Sequence, residues 1–217
     1  GVDSLTFNSG LDLSLSDLTL FTIETFQFTG GAIPVKLPTD VISGKNVDIS
    51  ENGAGRLILE LFPTEQSINL ATLTFDNSIA PSSDKIVING SNFSQALTIN
   101  GSIIGDEITG TFTSSDTINS GDGNDTINGR DGNDILTPGD GTDHITPGLG
   151  NDTVNLTELV AAVDTLYYSI DDGENNVDTV TNFDVRIAND IISLDASAAS
   201  KPITFGNGTA VSAAALG

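Results

Sequence analysis

Residues 111–155 read TFTSSDTIN (111–119), SGDGNDTIN (120–128), GRDGNDILT (129–137), PGDGTDHIT (138–146) and PGLGNDTVN (147–155), consecutive nonapeptides without a gap. The last four are close copies. The first is degenerate but keeps the Asp at position six and the Ile at position eight. Position eight is always apolar: Ile118, Ile127, Leu136, Ile145 and Val154. One apolar residue in nine cannot make a core alone, but stacked turns line such side chains into a column. Positions two and four are mostly Gly, which lets the backbone take positive φ and turn its carbonyls inward. Position six is Asp throughout: Asp116, Asp125, Asp134, Asp143 and Asp152. Stacked without a cation, these like charges repel at a few ångströms. A hard cation such as calcium takes six to eight oxygens at about 2.3–2.6 Å, which Gly-rich carbonyls and a carboxylate supply.

The four close copies resemble the RTX (repeats-in-toxin) nonapeptide of type I secreted bacterial proteins. The resemblance implies a right-handed parallel β-roll with two nonapeptides per turn and calcium held between turns on each side. Copies on one side then lie 18 residues apart, pairing Asp116 with Asp134, Asp125 with Asp143, and Asp134 with Asp152. The family's ligands are the carbonyls of positions two and four and the position-six carboxylate. Carried over, they are Gly121, Gly123 and Asp125; Arg130, Gly132 and Asp134; Gly139, Gly141 and Asp143; and Gly148, Gly150 and Asp152, with Asp116 from the degenerate copy.

This chain departs from the pattern in places. Pro138 and Pro147 stand at position one, where proline fixes φ near −65°. Arg130 replaces Gly at position two, and Phe112 and Ser114 occupy positions two and four of the degenerate copy. Gly101 to Gly110 (GSIIGDEITG) reads as a further worn turn, with Asp106 and Ile108 one residue out of register.

Outside the repeats, residues 1–100 read as short strands. Leu11, Leu13 and Leu15 alternate with polar residues, and LTLFTIETFQF (18–28) and LILELF (57–62) are rich in β-branched, aromatic or apolar residues. Gly30-Gly31, Gly44, Gly53, Gly55 and Pro81-Ser82-Ser83-Asp84 punctuate them. Their uneven spacing suits an irregular β-helix or a β-sandwich. Loosely, this half resembles the degenerate strand repeats of large RTX surface proteins and bacterial S-layer proteins, through TIETFQFTGGAI (22–33) and the turns NGAG (52–55) and INGS (88–91 and 99–102). The best helix candidate is short, TELVAAVDT (157–165). VDTVTNFDVRIANDIISL (177–194) is similar to the segment that follows RTX repeats, which implies that Val180, Phe183, Ile191 and Leu194 cap the open end of the roll. The tail SAAALG (212–217) suits an uncleaved C-terminal secretion signal.

Composition agrees. Seven Lys and Arg stand against 30 Asp and Glu, a formal charge of −23. Such a chain has almost nothing from which to build a basic patch for nucleic acid or anionic lipid. Ten of the acids fall between Asp106 and Asp152. Cysteine is absent, which excludes disulfides, Cys–zinc sites and thiol nucleophiles. No apolar run is long enough for a membrane span. The chain begins at Gly1 rather than Met, inside an apolar/polar pattern, which predicts a processed product or a piece of something longer. His144, the single histidine, sits at a solvent-facing repeat position without the partners of a hydrolase site. Tyr167 and Tyr168 lie in a strand-like run that predicts packing rather than a sugar platform, and no pair among the acids is singled out for glycoside chemistry.

The sequence thus predicts an all-β, elongated β-solenoid: a strand-rich region over 1–100 (β-helix or sandwich), an RTX calcium-binding β-roll over 101–155 and a C-terminal β cap over 156–217. The predicted function is that of a non-enzymatic, secreted calcium-binding protein of the bacterial cell surface. It folds on Ca2+ outside the cell and self-associates into an S-layer or another extracellular array. The alternative is a calcium-dependent folding and secretion module of a type I secreted enzyme, toxin or adhesin whose active domain lies upstream.

Overall fold

The computed structural model describes residues 4–7, 25–28, 33–44, 46, 48–51, 57–75, 79, 84–168, 177–184, 190–194, 203–205 and 209–211. Strands in the first part are β1 (Ser4–Phe7), β2 (Thr25–Phe28), β3 (Ile33–Pro38), β4 (Asp48–Glu51), β5 (Leu57–Phe62), β6 (Ser67–Asn69) and β7 (Thr74–Phe75). The middle holds β8 (Lys85–Asn89), β9 (Thr98–Asn100), β10 (Asp106–Thr109), β11 (Thr117–Asp122), β12 (Thr126–Asn128), β13 (Ile135–Asp140), β14 (His144–Thr146) and β15 (Thr153–Asn155). After it come β16 (Thr165–Tyr168), β17 (Asp178–Thr181), β18 (Ile191–Leu194), β19 (Ile203–Phe205) and β20 (Thr209–Val211).

From β8 onward the chain alternates between two parallel sheets. One runs β18-β16-β14-β12-β10-β8-β5-β3, the other β20-β19-β17-β15-β13-β11-β9-β6. Each coil therefore spends one strand on each sheet, and the nine-residue period is half a coil. The register keeps the repeat in phase: Ile118 pairs with Leu136, and Ile127 with Ile145. Only β19 and β20 pair antiparallel among the described strands.

The column of position-eight residues forms the core. Ile118, Ile127, Leu136, Ile145 and Val154 are buried, and the column runs on through Ile88, Ile99 and Ile108 on one side and Leu166 and Val180 on the other. Burying one such side chain contributes about 2 kcal/mol, so a strand of three residues survives only because its neighbours are stacked on it. The outward residues beside them, Thr117, Thr126 and His144, are exposed.

The first part is a β-helix with a third side. Strands β1, β2, β4 and β7 form a separate parallel sheet, and β5, β6 and β7 visit the three sheets in turn before β8 returns to the first. Longer coils there (Leu59 pairs with Ile86, Ile49 with Phe75) give way to the two-sided roll at β8. Both large sheets pass through residues 100 and 155 without a break.

The expected helix over 157–165 does not form. Residues 157–164 are an irregular excursion between β15 and β16, and Thr165 already belongs to a strand. With Leu159 93% and Val160 70% exposed, the apolar residues of this segment find no face to bury, and a helix this short is marginal without one. At the C-terminal end Val180 is buried, and Phe183 and Leu194 pack partly against the core, whereas Ile191 is exposed on the outer face. Val180, Ile191 and Leu194 sit on further coils of the same two sheets. The expected strand around Leu11–Leu15, the Gly30-Gly31 and NGAG turns, and the SAAALG tail lie outside the described residues.

Candidate metal centre

Each edge of the roll carries a ladder of aspartates. On the edge leading from β9 to β10, and correspondingly in later coils, the N–H of Asp106 donates to Asp125 Oδ1 (2.7 Å) and Asp125 N–H to Asp143 Oδ1 (2.7 Å). The series continues from Asp143 N–H to Asp164 Oδ1 (3.0 Å) and from Asp164 N–H to Asp190 Oδ1 (3.2 Å). On the opposite edge, Leu97 N–H donates to Asp116 Oδ1, Asp116 N–H to Asp134 Oδ1, Asp134 N–H to Asp152 Oδ1 and Asp152 N–H to Asp178 Oδ1, all within 2.7–2.9 Å. The pairs expected from the 18-residue spacing are rungs of these ladders. A second series runs the other way at position five: Thr142 N–H donates to Asn124 Oδ1, Asn151 N–H to Asn133 Oδ1 and Asn133 N–H to Ser115 Oγ. Successive coils are thus clamped in both directions.

One carboxylate oxygen is left over on four of these rungs. Oδ1 of Asp125, Asp134, Asp143 and Asp164 accepts the inter-coil N–H, while Oδ2 of each is buried with no hydrogen-bond partner. A buried acceptor without a donor is costly, and a buried charge more so. Burial accordingly pushes the carboxyls of Asp125, Asp134 and Asp164 up to about 7 and that of Asp143 up to about 8. Neighbouring carboxylates add to the rise, Asp125, Asp164 and Glu158 in the case of Asp143.

The two leading rungs differ. Asp116 Oδ2 receives Thr111 N–H (2.6 Å) and the Thr111 hydroxyl (3.0 Å). Asp106 Oδ2 receives Ser102 N–H (2.7 Å), and the Ser102 hydroxyl reaches Oδ1 (3.0 Å). Burial, with Asp125 beside it, still holds the Asp106 carboxyl well above the usual range.

Between the aspartates the turns stack backbone on backbone. Gly139 (φ +98°) and Gly141 (φ +142°) take conformations that favour glycine, and a Cβ on them would fall 1.9 and 1.7 Å from the carbonyl oxygens of Gly121 and Gly123. The position-two and position-four carbonyls therefore face the next coil. Gly148 and Gly150 stand over the Arg130 and Gly132 oxygens in the same way. Arg130 holds φ +73° despite its side chain, at a strain of about 1–2 kcal/mol. Its guanidinium lies 4.3 Å over the Phe112 ring, where a cation–π contact offsets part of that strain.

Among the described residues no three Asp, Glu, His or Cys side chains converge into a side-chain cage. A cation here must draw on main-chain carbonyls, with one carboxylate from a coil. The buried Oδ2 atoms and the carbonyl-lined turns fit such an ion. Sequence reading left Asp164, Asp178 and Asp190 out of the site and put Asp106 out of register. The structure sets all four on the ladders, the offset between coils changing from 19 residues at Gly110 to 18 by Ser114, so that the extra residue is taken up within 111–113. The missed signal is the tripeptide Asp-x-apolar, present at Asp106-Glu107-Ile108, Asp164-Thr165-Leu166, Asp178-Thr179-Val180 and Asp190-Ile191-Ile192. His144 is exposed with its ring 5.8 Å from that of Tyr167, and Tyr168 is buried.

The family model described as RTX calcium-binding nonapeptide repeat matches in four copies, over residues 111–145 and 139–154. That segment consists of calcium-binding repeats. No curated protein and no solved structure matches the chain.

Proposed function

We propose that this RTX-repeat chain is a non-enzymatic, calcium-dependent structural protein of the bacterial cell surface, exported and then folded and assembled by calcium outside the cell. The observation that carries the reading is the set of buried, partnerless Oδ2 atoms on Asp125, Asp134 and Asp143, inside an otherwise closed solenoid. The ions would be held by these carboxylates and that of Asp152, with the carbonyls of Gly121, Gly123, Arg130, Gly132, Gly139, Gly141, Gly148 and Gly150. Asp116 would contribute least, since both its oxygens already accept hydrogen bonds.

The chemistry supports coupled folding. With little free calcium, as in a cytosol, a net charge of −23 and buried carboxylates oppose compaction. At calcium a hundredfold above Kd, each site adds about 3 kcal/mol to the folded state.

The test is a calcium titration followed together by circular dichroism and light scattering, with magnesium as control. β-Signal and large particles that arise together, with calcium alone, are the expected result. Folding to a monodisperse monomer would transfer the chain to the alternative, the exported module of a larger enzyme, toxin or adhesin. No response to calcium would overturn both.

A further inference from the structure

The ladder does not stop where the nonapeptides stop. Between the last Gly-x-Gly turn of its edge, 139–143, and the excursion 157–164 that follows, the lower coil has no glycine turn. It offers a side chain instead. Asp164 is fully buried; its Oδ1 accepts Asp143 N–H (3.0 Å) and its Oδ2 has no partner. The Glu158 carboxyl lies against that of Asp164, and its own Oε1 is also buried without a partner, while Oε2 accepts Ala162 N–H (2.8 Å). Asp140 and Asp143 stand close by, Asp140 Oδ1 accepting the N–H groups of Leu159 and Val160. Among the described residues, neither Glu158 nor Asp164 forms an ion pair with a basic side chain.

Two shielded carboxylate oxygens that meet with no donor but a shared proton between them, one on buried Asp164 and one on half-buried Glu158, call for a cation. The backbone above them is already shaped for one. Gly139 and Gly141 have the positive φ of Gly121 and Gly123, whose carbonyls face the following coil. Gly139 and Gly141 share that backbone, and the Leu159 and Val160 N–H groups on the Asp140 carboxylate between them bring this turn against 157–164.

We infer that Glu158 and Asp164, beneath the Gly139 and Gly141 carbonyls, form a further calcium site in which the Glu158 side chain stands in for the missing lower glycine turn. Two carboxylates and two carbonyls leave room for water to complete the six to eight oxygens that calcium takes. This site rests on the proposal that the repeats hold calcium between turns, and it extends the bound region past Val154. It also accounts for the excursion: three residues beyond the 18-residue period, 21 from Asp143 to Asp164, bring Glu158 under the turn.

The experiment is an ion count on the full chain by equilibrium dialysis with calcium, comparing the wild type with E158Q, D164N and L159S. Glutamine and asparagine keep the oxygens that accept Ala162 and Asp143 N–H, so both variants should retain the β-spectrum in calcium. E158Q and D164N should each bind one ion fewer than the wild type, with the remaining sites unchanged, and L159S should bind the full number. An unchanged count in E158Q and D164N overturns the site while leaving the repeats' calcium intact. A wild type that binds no calcium overturns the functional reading and this site with it.

Discussion

Replacing Asp143 with Asn separates what the carboxylate does with calcium from what it does without. The amide oxygen of the substituted side chain still accepts Asp125 N–H, so the ladder is unbroken. The charge is gone. In the calcium-free fold the Asp143 carboxyl is pushed from 3.8 to about 8, so at pH 7 it penalises folding by roughly 4 kcal/mol, at about 1.4 kcal/mol per pH unit between 3.8 and 7. The Asn amide brings a buried donor to the place of Oδ2, which costs about 1–3 kcal/mol if it stays unpaired. The expected balance is a calcium-free fold more stable by about 1–3 kcal/mol. In calcium the sign reverses, because the site between Asp125 and Asp143 has lost its carboxylate. Urea unfolding of D143N and wild type, each in chelator and in saturating calcium, measures both. A variant that is less stable than wild type in chelator would refute the reasoning, since the carboxylate would then be stabilising the fold without an ion.

Acidity should substitute for calcium. The folded carboxyls of Asp125, Asp134 and Asp164 are raised to about 7 and that of Asp143 to about 8, so their contribution to stability is full below 3.8 and is lost as pH rises through 7 to 8. In chelator the β-signal should therefore fall as pH rises through that window, and the calcium midpoint should move to higher calcium as pH is lowered; a chelated chain that gains structure on alkalinisation contradicts this. Gly141→Ala should be more harmful than an ordinary surface change, since φ +142° strains an L-residue by about 1–3 kcal/mol and the added Cβ falls 1.7 Å from the Gly123 oxygen; wild-type calcium affinity and thermal midpoint would count against the stacked turns. Asp134→Ala should raise the calcium midpoint, because Asp134 is linked to both Asp116 and Asp152, whereas Asp40→Ala on the exposed surface should leave it in place; calorimetric titration of the two variants decides, and equal calcium affinity would refute the pairing.

The roll was legible because every position of the nonapeptide has its own physical duty, and a fixed period lets those duties be read one by one. The 18-residue spacing pairs Asp134 with Asp152, and the Asp134 N–H does reach the Asp152 carboxylate. Legibility faded where the period was broken by insertions. Asp152 and Asp178 are 26 residues apart, as are Asp164 and Asp190, so no register counted in nines finds them, although each keeps the Asp-x-apolar tripeptide. The excursion at 157–164 misled for a related reason. Leu159, Ala161 and Ala162 have helical propensity, but nothing in the local sequence says that the segment must return to a strand at Thr165 to stay stacked on His144. In the first part the three-sided β-helix and a sandwich share the same strand pattern; what separates them is that Leu59 pairs in parallel with Ile86, a long-range fact without a local signature.

The contrast between the leading rungs and the repeats points to how the calcium demand is placed along the chain. Every rung needs something to face its second carboxylate oxygen. At Asp106 and Asp116 the chain supplies it, through Ser102 and Thr111. At Asp134 and Asp143 it does not, since their turns offer Arg130 and Gly139 at position two; at Asp125 the nearby Ser120 hydroxyl eases the charge but donates its proton to the Pro138 carbonyl (2.6 Å), leaving Oδ2 without a donor. Removing a hydroxyl and adding a glycine thus does two things at once. It leaves an oxygen that no group of the chain satisfies, and it opens the carbonyl-lined space in which an ion can satisfy it. The coils through Asp116 carry less of this deficit and abut the β-helix, whose core of Leu37, Leu59, Ile68 and Ile86 is apolar. On the proposed function they would form a template, to whose last edge, the Asp116 rung, the coils that need calcium would add one after another. In a solenoid, where each coil is held mainly by its neighbours, such a boundary confines the switch to the coils beyond it.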